Sequence, residues 1–217
     1  MARKVFSEYQ SKAFLRECGI EFPQEFLATS KAESAKMAEK MGFPVVLKGC
    51  GEGIAHKTEK NLVRLNLKDK TSVESAYEDL TSSGEKIDGI IVQKFVPGKR
   101  EFIAGILKDQ QFGYCVMFGL GGIFTEILRD VTFRLSPIST VDAEEMLHEL
   151  KHSRLLGEFR GEQAINMKKL LDLLCKLSEV PLKKKNVIEV DLNPLIPWEN
   201  NIYIVDALVV TEDEGKN

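Results

Sequence analysis

The chain lacks the features that would commit it to a membrane, a secreted scaffold or a polyanion. No apolar run approaches the ~18 residues that a bilayer-spanning helix needs, and the opening stretch MARKVFSEYQ has no apolar core of a signal peptide, so export is not expected. The cysteines, Cys18, Cys50, Cys115 and Cys175, are too scattered for a disulfide framework or a CxxC metal knuckle, which fits a reducing cytoplasm. Neither sign of charge prevails. Thirty Lys and Arg against 33 Asp and Glu leave a net charge of -3, so no basic footprint for nucleic acid or an anionic membrane is present. What remains is 217 residues, 43% of them hydrophobic, enough for one large packed domain or two small lobes.

Hydrophobic periodicity divides the chain into two parts. In the first, SEYQSKAFLREC is an amphipathic helix with Ser7 as its cap and Gly19 as its stop, followed by a strand FPQEFLA. Ser30 and Glu33 form a capping box for a helix that ends at Gly42, before the apolar strand FPVVLKG. A glycine-studded loop leads to a strand LVRLNL. A second capping box at Ser72 or Thr71 opens a helix to about residue 83, and IDGIIVQKFV closes this part. Beyond residues 93–98 strands dominate: REFIAGILKD and FGYCVMFGLGG form a hairpin, helices are expected over about 141–152 and 161–179, and NVIEVDLNPL and NIYIVDALVV close the chain around the turn WENN. The expected lobes are 1–95, containing a loop at 49–63, and 96–211, with a charged tail at 212–217.

Several residues could carry chemistry. Asn193 and Asp206 are equidistant from the turn centre between Glu199 and Asn200, so an unbulged antiparallel register sets them opposite each other. A carboxamide and a carboxylate so placed are hard oxygen ligands suited to Mg2+, which takes one or two protein groups beside substrate phosphates. Asp191 lies two residues earlier and points the same way. The alternative is an Asx turn at Asn193-Pro194, and Pro194 or Pro197 could shift the register by a bulge. The glycines Gly119, Gly121 and Gly122 of FGLGGIF form either an anion-binding nest of backbone amides or a structural turn. Arg134 and Arg129 in RDVTFR stand near it and could stabilise a transferring phosphoryl group, or be surface charges. Lys48 ends an apolar strand, where a point cation could bind phosphate or reach out to solvent. His56, in the loop GCGEGIAHKTEKNLV, is poorly placed for a core histidine; a neutral imidazole there could attack phosphorus, or be an ordinary loop residue. HELKH, with His148, Glu149 and His152, matches a zinc-hydrolase pattern, or is a solvated helix.

In order along the chain, PVVLKG, GIAHKTEKNLV, IIVQKFVPGKREFIAGILKDQQFG, MFGLGGIFTEILRDVTFRLSP, VDLNPL and IVDALVV resemble the ATP-grasp β subunit of ADP-forming acyl-CoA synthetases such as acetate:CoA ligase. The resemblance spans FSEYQSKAFL to VDALV. It implies an α/β (α+β) ATP-grasp fold whose two lobes hold ATP or ADP between them, and a ligase reaction: acyl-CoA, ADP and phosphate interconvert with carboxylate, CoA and ATP through phosphohistidine. It further implies that Lys48 contacts nucleotide phosphates and that Gln93, Lys94, Phe95 and Val96 form the hinge that reads adenine. Glu101 lies near the nucleotide, Asn193 and Asp206 hold Mg2+, His56 receives the phosphoryl group on a swinging loop, and Asp191 orients it. Where members read HKSDVGGV this chain reads HKTEKNLV, with Asn61 and Leu62 in place of paired glycines, and Lys94 replaces a glutamate. No dinucleotide-type GxGxxG is present for CoA, so an α subunit carrying the CoA-binding and ligase domains is implied, in an α2β2 assembly without nucleic-acid or membrane partners. A nucleotide-binding regulatory module that no longer transfers phosphate is the competing reading. The carboxylic acid, and ADP against GDP, stay open.

Overall fold

The computed structural model describes residues 2–54, 57, 59–122 and 128–212. Its elements divide into two compact units. The first comprises Phe6–Gln10 and Pro23–Val96, and the second Met1–Val5, Ser11–Phe22 and Pro97–Asn217.

The first unit is built on a four-stranded antiparallel sheet of β2 (Glu25–Ala28), β3 (Val45–Cys50), β4 (Val63–Leu67) and β5 (Gly89–Lys94), in the order β2-β5-β3-β4. Two helices, α2 (Lys31–Met41) and α3 (Lys70–Thr81), pack with it. Alanines at 35, 38 and 76 with Val73 and Leu80 meet Val45, Leu47, Ile90 and Val92 of the sheet in one buried cluster. Small residues on the helices let them approach closely, and the β-branched residues fill the pleat. Ser30 caps α2, its hydroxyl accepting the Glu33 amide at 3.2 Å, while the Glu33 carboxylate accepts the Thr29 amide at 2.9 Å. The cap of α3 is Asp69, not Ser72 or Thr71: its carboxylate accepts the Ser72 amide at 2.7 Å, and Ser72 is the reciprocal partner three residues in. An ionised carboxylate facing the helix N-terminus outcompetes the hydroxyls that follow it.

The second unit is a seven-stranded antiparallel sheet in the order β1-β11-β9-β6-β7-β8, with β10 also paired to β9. The strands are β1 (Arg3–Val5), β6 (Phe102–Asp109), β7 (Gly113–Leu120), β8 (Val131–Leu135), β9 (Val187–Trp198), β10 (Asn201–Ile204) and β11 (Ala207–Glu212). Helices α4 (Thr140–His148) and α5 (Met167–Ser178) pack together, α5 against β6 and β7, and a short α6 (Val180–Lys183) follows. The N-terminal residues enter this unit for visible reasons. Strand β1 pairs with β11, Ser11 accepts the Val209 amide at 3.0 Å, and the fully buried Lys12 donates to the Val205 carbonyl at 2.8 Å. The two expected helices are shorter than their apolar periodicity suggests: α4 stops at His148, and α5 starts at Met167 on the cap Asn166. No helix among the described residues is long and apolar enough to cross a membrane.

Candidate functional site

Strand β3 decides the placement of the first cluster. All six of its residues are buried, and side chains alternate across a sheet, so Val45 and Leu47 enter the helix-packed core while Val46, Lys48 and Cys50 take the other face. Strand β5 pairs Gln93 with Val46 and Ile91 with Lys48, which sets Gln93 and Lys48 on that same face as diagonal neighbours. Lys48 does not reach solvent: it is 5% exposed, and its ammonium meets Glu8 Oε1 at 2.8 Å. Glu8, in the first turn of α1 (Glu8–Arg16), is 2% exposed. Its other oxygen lies 2.9 Å from the ammonium of Lys57, itself 8% exposed. One buried carboxylate therefore holds two buried lysines. Cys50 completes the row, and burial pushes its thiol pKa up.

His56 and Thr58 lie outside the described residues, but Lys57 and the chain from Glu59 are placed. The Lys57 carbonyl accepts the Leu62 amide at 2.7 Å, and the Leu62 carbonyl accepts the Gly49 amide at 2.9 Å. Asn61 has φ 56, a left-handed conformation that asparagine tolerates and glycine favours, so it keeps the backbone a glycine would supply. Leu62 is fully buried in the core cluster. Along the segment expected to read adenine, the Lys94 and Phe95 amides donate to the Gln24 and Pro44 carbonyls at 3.4 and 3.2 Å, Gln93 is 1% exposed and Val96 is buried. The Lys94 ammonium donates to the carbonyls of Gly42 and Phe43 at 2.8 and 3.2 Å, which fixes its side chain on the turn before β3.

In the second unit the closing hairpin keeps one register on both sides of Asn193 and Asp206. Ile204 pairs with Leu195 and Tyr203 with Ile196 on β10; Ala207 pairs with Leu192 and Leu208 with Asp191 on β11. Asn193 and Asp206 fall opposite each other between these ladders. A bulge does occur, but against β6, where Phe102 pairs with Leu195 and Ala104 with Leu192, giving β9 an extra residue at this point. Asn193 is exposed and Asp206 half-buried, with Asp206 Oδ1 accepting the Ala207 amide at 2.8 Å. Gly105 pairs with Asp191, so Asp191 occupies the face opposite the buried Val190 and Leu192. Among the described residues no three His, Cys, Asp or Glu side chains converge as a metal site. Two hard oxygen donors suit Mg2+ completed by phosphate oxygens, rather than a self-contained zinc site.

The glycine turn is built differently from a free nest. The Leu120 amide donates to the Asp130 carbonyl at 3.1 Å and the Gly121 amide to the Glu101 carbonyl at 2.8 Å. Close packing explains the glycines: a Cβ on Gly119 would stand 2.5 Å from the Asp130 carbonyl oxygen, and one on Gly121 would stand 2.9 Å from Glu101 and Phe102 backbone atoms. Gly122 has φ +65 and lies against the Glu101 carboxylate, 2.7 Å from its Cβ position to Oε2. Burial of that carboxylate against the turn pushes the Glu101 pKa up, although the residue as a whole remains exposed. Arg134 is held by an acidic partner in this structure. Its guanidinium makes a two-pronged pair with Glu149 at 2.9 and 2.6 Å, the fork geometry that a phosphate would otherwise take.

The zinc-like pattern fails for a related reason. Helix α4 ends at His148, Glu149 is its C-cap, and His152 lies beyond it with Nδ1 2.8 Å from Asp130 Oδ2. The buried Asp130 carboxylate also accepts the amides of Lys151 and His152 at 2.9 and 2.8 Å, which draws the chain out of the helix before the second histidine. Burial raises the Asp130 pKa, but the His152 ring and the two amides outweigh it, and the net result lies below the usual carboxylate range. A depressed folded pKa contributes stability that is complete above the unfolded value, about 3.9, and is lost as pH falls through the folded one. Asp130→Asn is expected to cost roughly 1–3 kcal/mol at pH 7, read by urea unfolding, with the gap to wild type closing below about pH 4.

The same chain is matched over residues 1–211 by the model of the ATP-grasp domain family. It is 35% identical over 209 residues to the acetate–CoA ligase [ADP-forming] I subunit beta of Pyrococcus furiosus, covering 94% of this chain and 90% of that one. It is 37% identical to acetate–CoA ligase [ADP-forming] I of Archaeoglobus fulgidus, of which it covers 30%. The dinucleotide forming acetyl-coenzyme A synthetase 1 of Ca. Korarchaeum cryptofilum, solved with coenzyme A, Ca-AMPCP and HgCl+, superposes with a TM-score of 0.92 at 37% identity, covering 96% and 94% of the two chains. That synthetase with coenzyme A and Mg-AMPPCP has its phosphohistidine segment pointing towards the nucleotide binding site, at a TM-score of 0.83 and 36% identity, covering 94% and 92%.

Proposed function

The chain belongs to the ATP-grasp family, and from that premise we propose that it is the β subunit of an ADP-forming acyl-CoA ligase of the acetate:CoA type. The reaction is acyl-CoA + ADP + phosphate = carboxylate + CoA + ATP. The observation that carries the reading is Lys48: a buried ammonium on an otherwise apolar strand, fixed by Glu8 on the face that also bears Gln93. Burying a charge is costly, and gripping nucleotide phosphates gives that cost a purpose.

In this reading the backbone from Gln93 to Val96 receives adenine and Lys48 holds phosphate oxygens. Asn193 and Asp206 hold Mg2+, which neutralises phosphate charge when bound. A nitrogen lone pair of His56 bonds to the γ-phosphorus, the bond from phosphorus to the ADP oxygen breaks, and ADP leaves with that electron pair. Asp191 orients the phosphorylated imidazole, and the reverse step regenerates ATP from ADP. Glu101 and the Gly121–Gly122 turn stand together as the acidic group and the tight backbone near the nucleotide.

The Archaeoglobus chain is some three times the length matched here, whereas the Pyrococcus subunit is matched nearly whole. The β-subunit relative and the longer relative together imply an α partner, and we propose that it supplies CoA binding and acyl transfer in an α2β2 assembly. The native chain copurified with its partner is expected to form ATP from acetyl-CoA, ADP and phosphate. Saturable ATP binding without turnover beside any partner would instead identify a regulatory module, a reading that the burial of Leu62 next to the histidine segment favours.

A further inference from the structure

We propose that Glu8 is a positioning residue for phosphoryl handling, one carboxylate that aims Lys48 and at the same time fixes Lys57, the residue directly after His56. The inference rests on the assignment of His56 as phosphoryl acceptor made above. Each oxygen of Glu8 takes a different lysine, Oε1 to Lys48 at 2.8 Å and Oε2 to Lys57 at 2.9 Å, and all three side chains are less than a tenth exposed. A lysine stem has four rotatable bonds and a spherical cationic head, so by itself it defines no direction. Glu8 supplies one.

The Glu8 end of the arrangement is rigid. Its helix start is held by a reciprocal cap, the Ser7 amide donating to Gln10 Oε1 at 3.0 Å and the Gln10 amide to Ser7 Oγ at 3.3 Å. Lys57 is fixed at both ends, by its ammonium on Glu8 and by its carbonyl on the Leu62 amide at 2.7 Å. The carboxylate thus links the group that would grip the nucleotide to the residue that follows the acceptor histidine in the chain. Stability alone is a weak account of it, because well-packed apolar residues of the same volume are often as stable as a buried ion pair. A plain helix-terminus role is also insufficient, since an acid in a first turn acts on the dipole without two buried lysines.

The test uses the full chain and four measurements: thermal melting, Mg·ATP affinity by calorimetry, the rate of label transfer from [γ-32P]ATP at saturation, and the ATP concentration giving half that rate. Glu8→Gln, which keeps shape and removes charge, is expected to weaken ATP binding and slow saturated labelling by tenfold or more each, with Glu8→Asp recovering most of the affinity. Lys57→Met is expected to leave ATP affinity within threefold while slowing saturated labelling at least tenfold. Wild-type affinity and labelling in Glu8→Gln would overturn the proposal. So would losses that merely track the unfolded fraction and that Glu8→Asp does not rescue. Should Glu8→Gln not fold, Lys57→Met decides, and an unchanged saturated rate in that variant sinks the idea. Absence of label in the wild type would refute the acceptor assignment instead, and the ATP affinity of Glu8→Gln would still judge the link to Lys48.

Discussion

His56→Ala will leave the chain folded and able to bind Mg·ATP while acyl-CoA-dependent ATP formation with the partner subunit falls on the order of 10⁴-fold or more, the scale at which removing a covalent nucleophile acts. The division between binding and turnover is what makes the result specific. Lys48, Gln93, Asn193 and Asp206 are untouched, so nucleotide affinity should change by less than about threefold, under 0.7 kcal/mol. The ligase half of the reaction, separated from its phosphoryl relay, has no other route to ADP. An effect on ATP affinity as large as that on turnover would point to a binding histidine rather than an acceptor.

The second large effect falls on Lys48. Lys48→Met keeps the length and apolar stem of the side chain and removes only the ammonium, so its consequences separate into two measurable parts. Glu8 loses one of its two partners in a buried setting. Breaking a buried pair outright costs about 3–5 kcal/mol, and because Lys57 remains on Oε2 the expected loss is roughly 2–3 kcal/mol in denaturant unfolding. Nucleotide binding loses a charge-assisted contact, worth about 1.5–3 kcal/mol, or roughly a 10- to 150-fold rise in the ATP dissociation constant. Lys48→Arg should not restore it, because a planar fork replaces a point charge in a closed space. A variant that loses stability but binds ATP normally would reduce Lys48 to a structural ion.

Much of the architecture was legible along the chain where signals are local. Ser30 caps α2 because a hydroxyl, an acid three residues on and an apolar repeat all lie within a few positions. The register of the closing hairpin follows from two apolar strands flanking a short polar turn, and Trp198 pairs with Asn201 at its neck. Strand β8 was missed: RDVTFRLSP mixes charge with apolar residues, and its strand character comes from pairing with β7 along Val131–Leu135.

What the local sequence did not reveal depended on partners distant in sequence. Arg134 suggested a phosphate ligand beside a glycine turn, but Glu149 takes the guanidinium, and nothing near Arg134 announces it. The amides of FGLGG suggested a nest, yet those of Leu120 and Gly121 are taken by the carbonyls of Asp130 and Glu101. Glu8 is the clearest omission. In FSEYQSK it looks like an acid complementing a helix N-terminus, and its lysines are supplied by β3 and the segment beyond it. The one available hint was Lys48 itself, a cation ending a strand too apolar to leave it unpaired.

The most direct measurement of the central claim is to incubate the chain with Mg2+ and [γ-32P]ATP, quench in base, and map the label by mass spectrometry. The account predicts a single acid-labile, base-stable phosphoryl group on His56, discharged to ATP on adding ADP. Label at another residue, or a stoichiometry near zero in protein that binds ATP, would contradict it.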